Sequence, residues 1–164
     1  MTSALLEKIE EQIERSLHLI DRMPEIPAEW VPAIPGARPV GWLLGHLLDC
    51  LAGFCAVLQA AEPAGLGHFS NLRALPVNHL CRQVEARDRI ATYRAHIQEG
   101  FALLFDSDLS RRLPTVFVPQ GEVILTLLLG NLEHLVSHKY QLFVYLKMAG
   151  VDVGTPDLYR FRNV

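Results

Sequence analysis

The stretch Asn131–Gln141 has the sequence NLEHLVSHKYQ and lies between two strongly apolar segments. His134 and His138 are four residues apart, a spacing that places both side chains on one face of an α-helix. Asn131 and Gln141 fall on the same face, three residues before and after the histidines. Burying such a polar face costs free energy unless a partner satisfies it. A metal ion is the simplest partner, since two imidazoles at this spacing can share one ion.

The composition indicates a single globular domain spanning residues 1–164. Half of the residues are apolar, a fifth are charged and the net charge is −3, so no basic surface argues for nucleic-acid binding. The charged N-terminus has no signal-peptide core, and the longest apolar run, VILTLLLG, is shorter than the ~20 residues that cross a bilayer. The three cysteines form an odd, sparse set that does not suggest a disulfide framework. We therefore expect a reduced, cytoplasmic protein without a membrane partner.

Apolar residues recur at helical spacing in four segments of the chain. The predicted helices span residues 3–22, 40–62, 84–106 and 120–149. Thr2 or Ser3 is positioned to cap the first helix, and Gly150 is positioned to end the last one. Strand patterns are almost absent and the connections are long. We therefore predict an all-α fold of the four-helix-bundle class, whose cores can hold metal sites.

The connections between these helices are of two kinds. Five prolines in residues 24–39 exclude a helix there. Glycine and proline residues make 63–83 an irregular, lid-like loop. The remaining predictions are a helical turn near 78–83, a helical turn at 107–112 capped by Ser107, an extended stretch at 113–119, and a loop after the last helix.

His46 lies in the second predicted helix, which is apolar on most sides. If the second and fourth helices are neighbours, His46 completes a three-histidine face with His134 and His138. Three neutral imidazoles leave positions open for water or substrate, as in catalytic rather than structural sites. Since His46 lies nearer the start of its helix than His134 does, the two helices must be staggered.

A metal-binding histidine needs a partner for its second ring nitrogen. Asp49, one turn from His46, and Gln141 or Asn131 on the last helix are the candidates. The competing interpretation is that a single buried histidine is more often a hydrogen-bonded core residue than a ligand. Cys50 shares the face of His46, and its simpler interpretation is a small core hydrophobe.

Other metal motifs do not fit this sequence. Leu135 stands where an HExxH zinc motif requires its glutamate. Val136 stands where a Glu-x-x-His pair beginning at Glu133 would require histidine. The other histidines are expected on exposed faces or loops without a functional role, with the loop residues His68 and His79 the better candidates: His18, His68, His79 and His96.

Two segments resemble the motifs of the DinB/YfiT-like family. GWLLGHLLDCL resembles its first motif, a histidine early in the second helix, and GNLEHLVSHKYQLFVYLKMAG resembles its second. The resemblance implies a four-helix bundle of up-down-down-up topology, with His46, His134 and His138 as the three metal ligands. The sequence departs from the usual second motif at Ser137, at Lys139 and at Tyr140. Of these, Tyr140 is expected to add bulk behind the site.

The same resemblance implies a metal-dependent enzyme that binds one divalent ion, zinc, nickel or iron. Such an enzyme transfers a low-molecular-weight thiol to an electrophile, or hydrolyses a small substrate. The alternative is a non-catalytic stress-related or ligand-binding protein, with the metal structural or absent. Arg160 and Arg162 in the tail can hold an anionic substrate, although solvated charges are the default for surface arginines.

The last expectation concerns association. The fourth predicted helix is apolar on nearly every side, and the second has a similar excess, whereas a bundle helix buries only one face. Loops 24–39 and 63–83 can cover part of this surface. Large exposed apolar patches are rare on monomers, two-fold pairing is the commonest way to close one, and members of the resembled family often pair through their helices. We therefore predict a homodimer.

Overall fold

The computed structural model describes residues 1–23, 26–115 and 118–159. Its four long helices are α1 (Thr2–Asp21), α2 (Val40–Ala61), α3 (Gln83–Leu103) and α4 (Ile124–Met148). The smaller elements are 3₁₀ helices at Gly67–Ala74 and Asp106–Ser110, strands β1 (Arg112–Leu113) and β2 (Glu122–Val123), and a short helix, α5 (Thr155–Leu158). The prediction of an all-α fold is confirmed.

Each long helix packs against two others, since α1 and α2 both lie against α3 and α4. The direction of α3 relative to α1 follows from two contacts. Gln83 Nε2 donates to Ile20 O at 2.6 Å, and Arg94 forms an ion pair with Glu10. The start of α3 therefore lies beside the end of α1, and the two helices are antiparallel.

Helices α2 and α3 run in the same direction. Cys55 Sγ lies 4.0 Å from Tyr93 O. Further along both helices, Gly100 is pressed against Leu58, because a Cβ added at Gly100 would lie 2.8 Å from Leu58 Cδ1. The residue numbers rise together in these contacts, which is the mark of a parallel pair joined by a long connection.

Helices α2 and α4 are antiparallel. His46 meets His134, whereas Gly53, two turns later in α2, meets Asn131, which lies earlier in α4. With α1 antiparallel to α3 and α2 parallel to it, the order of directions is up, down, down, up. The predicted topology is confirmed.

The core is built from the inner faces of all four helices. The helical spacing of apolar residues predicted for the third segment is confirmed, because these residues of α3 and the one that follows it are all buried: Ile90, Tyr93, Ile97, Phe101 and Leu104. Among the described residues, α2 is the one helix long and apolar enough to cross a membrane, but most of it is buried, as in the core helix of a bundle.

The connection before α4 differs from the prediction. Residues 122–123 belong to a strand rather than to the first turn of the helix, because Val123 pairs with Arg112 and Glu122 pairs with Leu113. The extended stretch predicted at 113–119 is thus confirmed at Leu113, and its residues 116–117 lie outside the described part.

Two predicted caps are wrong. Neither Thr2 nor Ser3 caps α1 with its side chain. Asp106, from the second 3₁₀ helix, instead accepts hydrogen bonds from Thr2 N at 2.7 Å and from Thr2 Oγ1 at 2.8 Å. In that 3₁₀ helix, Asp108 rather than Ser107 accepts the backbone N–H three residues before it, at 2.9 Å. Carboxylates supply both caps because they accept hydrogen bonds more strongly than hydroxyls.

The end of α4 follows the prediction. Gly150 adopts a positive φ of 81°, and its N–H bonds to Lys147 O at 3.1 Å. Val151 N–H bonds to Leu146 O at 3.0 Å. These paired bonds form the glycine-terminated motif common at helix ends. The tail was predicted to be loop throughout, which is wrong, because α5 follows within it.

The helical turn predicted near 78–83 is also wrong. No helix occupies residues 75–82, and the helical part of this loop is the 3₁₀ helix Gly67–Ala74. Phe69 and Leu72 of that helix are buried where it packs on α2. The loop therefore covers part of the apolar surface of α2, as the sequence analysis allowed.

Candidate metal centre

The three predicted ligand histidines meet between α2 and α4. The ring centroid of His46 lies 5.0 Å from that of His134 and 4.3 Å from that of His138, and the latter two lie 4.7 Å apart. One nitrogen from each ring lies within 4.8 Å of the others. His46 Nε2 and His134 Nε2 are 3.1 Å apart, close to the ~3.3 Å that separates two nitrogens of a tetrahedral zinc site with ~2.0–2.1 Å bonds.

The electrostatics favour the neutral form of His134 and His138. Burial lowers the pKa of His134 below its ordinary value of 6.5, and the nearby His46 adds to this while Asp49 opposes it. Burial also lowers the pKa of His138, while the hydrogen bond that its Nδ1 donates to Gln141 Oε1 opposes this. Neutral imidazole is the form that binds metal. Three imidazole donors, two of them with a lowered pKa, therefore fit a divalent ion.

The support of His46 differs from the expectation. His46 Nδ1 makes a short hydrogen bond with the side-chain oxygen of Asn78, whereas Asp49 Oδ2 lies 3.9 Å away. At that distance Asp49 acts through charge rather than through a hydrogen bond. Asn78 is thus the residue that orients the ring, and the sequence analysis did not identify it.

Two glycines of α2 place Asn78 beside His46. The turn at residues 78–81 lies directly on the helix, because Asn78 N–H bonds to Gly45 O at 3.0 Å and Cys81 N–H bonds to Gly41 O at 2.9 Å. A Cβ added at Gly45 would lie 2.1 Å from a carbonyl oxygen of this turn. The spacing Gly41-x-x-x-Gly45 was the available signal, since small residues four apart allow a second backbone to approach a helix.

The support of His138 lies on its own helix. Gln141 Oε1 lies 2.9 Å from His138 Nδ1, and Gln141 Nε2 donates to Tyr145 Oη at 3.3 Å. Tyr145 Oη donates in turn to Arg38 O at 3.2 Å. This chain of hydrogen bonds fixes the His138 ring. It also shows the expected stagger, because α4 reaches a residue that precedes the start of α2.

Asn131 does not join this arrangement in the way expected. Its side-chain oxygen is packed against Gly53, where an added Cβ would lie only 2.6 Å away. The contact that the structure records for Asn131 is therefore with Gly53 and not with a histidine. Its place is in the close packing of α2 on α4.

One wall of the site is aromatic and cationic. The Trp42 ring stacks on His46 with centroids 5.1 Å apart and an angle of 19° between the planes. The Arg38 guanidinium lies 4.0 Å from the centre of the Trp42 ring, a cation–π contact. An exposed positive charge thus lies one side chain away from His46.

A cleft of about 230 Å³ continues from Asp49 along α2. Its floor is α2 and its other side is the 3₁₀ helix Gly67–Ala74. Polar groups at its edge are Asp49, Gln59 and Arg73. The cleft offers room for a small molecule, and its link to the histidines is Asp49, whose Oδ2 lies 3.9 Å from His46 Nδ1.

The other histidines are partnered elsewhere. His18 contacts Asp157 at 2.7 Å, His68 contacts Glu99 at 3.2 Å, and His79 contacts Glu85 at 2.8 Å. His96 Nδ1 bonds to a backbone oxygen of its own helix at 2.8 Å. Although His79 belongs to the turn that covers the site, its neighbour Asn78 is the residue that reaches His46.

Two further expectations can be compared with the structure, and a third concerns residues outside the described part. Cys50 is buried, and burial raises its pKa to about 12, so it is a core residue. Tyr140 is not behind the site, because it is 55% exposed and stacks on Phe143. Arg160 and Arg162 lie outside the described residues.

The comparisons with known proteins agree with the fold. The sequence profile of the DinB superfamily matches residues 8–142, and the search of curated proteins gave no match. The crystal structure of a DinB-like protein, YjoA, from Bacillus subtilis is similar with a TM-score of 0.71. The two sequences are 16% identical over 96% of this chain and 99% of that one, so this likeness concerns the fold. Since the family profile spans most of the chain, this protein belongs to the DinB superfamily.

Proposed function

We propose that this protein is a metal-dependent enzyme whose His46, His134 and His138 side chains bind one divalent ion. The observation that carries the proposal is the convergence of three partly buried imidazoles from two helices, with nitrogens within 4.8 Å of one another. Asn78 and Gln141 hold two of the rings through their Nδ1 atoms, which leaves Nε2 for the ion. Imidazole donors suit zinc, nickel or iron.

The reaction we propose is transfer of a low-molecular-weight thiol to an electrophile. When bound, the ion would supply a Lewis acid that lowers the pKa of a thiol. The chain contributes a wall, Trp42 and Arg38, and a neighbouring cleft for the rest of the substrate. A thiolate needs no general base, and Asp49 is the one carboxylate that the described residues place within 4 Å of a site histidine. The exposed guanidinium of Arg38 suits a substrate that carries a carboxylate or phosphate.

The experiment is a metal analysis followed by an activity screen. We expect the purified protein to hold one ion per chain at the three-histidine centre, and to conjugate a thiol in a panel of thiols and electrophiles. His46→Ala is expected to lose that ion and the conjugation activity, while the control His18→Ala, whose ring is paired with Asp157 instead, keeps both. Conjugation at the wild-type rate in metal-free protein would refute the proposal.

Hydrolysis of a small substrate is the other possible reaction, and an experiment can distinguish it from thiol transfer. It would need a general base, and Asp49 beside His46 is the candidate. Asp49→Asn distinguishes the two reactions, because it removes a base while keeping the shape of the side chain. Thiol transfer is expected to survive Asp49→Asn, whereas hydrolysis is expected to fall ~10²–10⁴-fold.

A non-catalytic protein is the alternative from another class. One observation favours it, namely that His46 Nε2 and His134 Nε2 are within hydrogen-bonding distance at 3.1 Å, so two rings can satisfy each other without an ion. A stress-related or ligand-binding role follows if the purified protein holds no metal and the screen shows no activity.

Pairing of two chains remains part of the proposal. Helix α4 exposes Leu129 (46%), Val136 (39%) and Tyr140 (55%), which share one side of the helix because they are seven and four residues apart. A two-fold contact through this face would cover them. Light scattering at micromolar concentration is expected to give the mass of two chains, and the mass of one chain would contradict the dimer.

A further inference from the structure

A second cluster of metal-ligating side chains lies on the loop that covers α2. His79, Cys81 and Glu85 each offer one donor atom, and these atoms lie within 4.8 Å of one another. His79 Nε2 and Glu85 Oε1 are 2.8 Å apart. The residues come from one short sequence, HLCRQVE, in which the turn supplies the first two donors and the first turn of α3 supplies the third.

We propose that His79, Cys81 and Glu85 form a second divalent-metal site, suited to zinc or to another ion that accepts both sulfur and nitrogen. Imidazole, thiolate and carboxylate are the three donor types that zinc uses in proteins. Three protein donors leave a fourth position for water or a ligand. His79 and Glu85 are partly exposed, at 28% and 38% of their side chains, so this position is open to solvent.

The histidine of this cluster is only half satisfied by the protein. His79 Nδ1 is buried and has no hydrogen-bond partner among the described residues, while Nε2 faces Glu85. A structural histidine normally has both ring nitrogens paired. One nitrogen of the His79 ring is therefore left without a protein partner among the described residues.

The turn that carries the donors is held rigidly before any ion binds. Its ends are tied to α2 by the bonds from Asn78 to Gly45 and from Cys81 to Gly41. Cys81 is completely buried, and its sulfur contacts Arg82 O at 3.4 Å and the side chain of Glu85. A preorganised turn lowers the entropy cost of assembling a site.

Arg89 is the neighbouring charge that opposes a cation. Its guanidinium lies 3.6 Å from Glu85 Oε1, but it has other partners: it donates to Tyr93 Oη at 2.9 Å and to the carbonyl of Pro76. Arg89 is therefore held in place by partners other than Glu85.

The site is independent of the three-histidine centre but shares its support. Asn78, which orients His46, is the residue before His79. An ion on the turn would therefore fix the segment that positions His46. The proposal does not rest on the proposed function, because the second cluster contains none of its ligands.

The test is titration of the metal-free full chain with Co²⁺ under a non-thiol reductant, since sulfur-bound Co²⁺ has a charge-transfer absorption that nitrogen-bound Co²⁺ lacks. In the variant His46→Ala/His134→Ala/His138→Ala we expect one ion per chain and the sulfur band. Adding Cys81→Ser is expected to abolish both. The control Cys50→Ser, at another buried cysteine, is expected to keep the band.

Two outcomes would overturn the proposal. One is a folded triple variant, by circular dichroism, that binds Co²⁺ without the sulfur band. The other is a band that survives Cys81→Ser. If the triple variant does not fold, the wild-type chain decides the question: Cys81→Ser in that background must lower the bound Co²⁺ by one ion per chain and remove the band, and an unchanged titration refutes the site.

Discussion

Two neighbouring residues of α4, His138 and Lys139, place polar groups on different sides of the same helix. His138 faces α2, where its ring meets those of His46 and His134. Lys139 contacts α1 and the end of α5, and it is only 2% exposed. Its Nζ donates to Gln12 Oε1 at 2.7 Å and to Leu158 O at 2.9 Å.

The two buried polar groups differ in their hydrogen-bond partners. Lys139 has acceptors supplied by the chain itself, so its burial is part of the fold and joins the tail to the bundle. Two of the three histidines have a hydrogen-bond partner at Nδ1: Asn78 for His46 and Gln141 for His138. At Nε2, the recorded contact is between two of the histidines themselves, His46 and His134. A buried polar group with internal partners is structural, whereas converging donors with none are the mark of a ligand site.

The largest effect is expected from breaking the histidine side of this comparison. His134→Ala removes one of three donors, so we expect the amount of bound metal to fall by about one ion per chain while the fold is kept. Elemental analysis after dialysis measures this. The surface variant His68→Ala is the control and is expected to hold the wild-type amount. Full metal content in His134→Ala would remove that residue from the site.

Replacing Lys139 is expected to lower the free energy of unfolding and to leave the amount of bound metal unchanged. Lys139→Ala leaves the acceptors of Gln12 and Leu158 without a donor and creates a cavity, which together cost about 2–4 kcal/mol of unfolding free energy. Urea unfolding measures the loss. Lys139→Met keeps the volume and avoids burying a charge, so its cost is expected to be smaller. A loss of metal in either variant would contradict the separation of the two sides.

Weaker effects are expected from the residues that orient the rings. Asn78→Ala and Gln141→Ala each remove a hydrogen bond to Nδ1 of a ligand histidine, and each is expected to weaken metal binding ~10–100-fold. A competition titration against a chelator measures the affinity. Gln98→Ala, on α3, serves as the matched control. If Asp49→Ala weakens binding more than Asn78→Ala does, then charge rather than the hydrogen bond orients His46.

The smallest effect concerns pH in the metal-free protein. The pKa values of His134 and His138 are lowered by burial in the folded state, so below about pH 6.5 the unfolded chain binds more protons than the folded one. Stability should therefore fall as pH drops through this window and level off below the folded pKa values. Urea unfolding between about pH 7 and pH 5 tests this. The double variant His134→Ala/His138→Ala should show a flatter profile.

Much of the fold could be predicted because it depends on local patterns. The apolar periodicity of α3 and the glycine at position 150 act within one helix, and both predictions hold. Helix starts were less predictable. The first turn predicted for α4 is lost to the pairing of β2 with β1, and the cap of α1 comes from Asp106, 104 residues further along the chain. Such partners are fixed by packing between distant segments, which no local pattern records.

The candidate site divides in the same way. The sequence by itself determined that His134 and His138 share a face with Gln141, because helical geometry requires it. Only the tertiary structure decided that His46 lies against them and that Asn78, rather than Asp49, holds its ring. The first contact depends on the antiparallel packing of α2 on α4. The second depends on a turn that approaches α2 at two glycines. Both contacts join residues that are far apart in the chain, and for this physical reason no local sequence pattern records them.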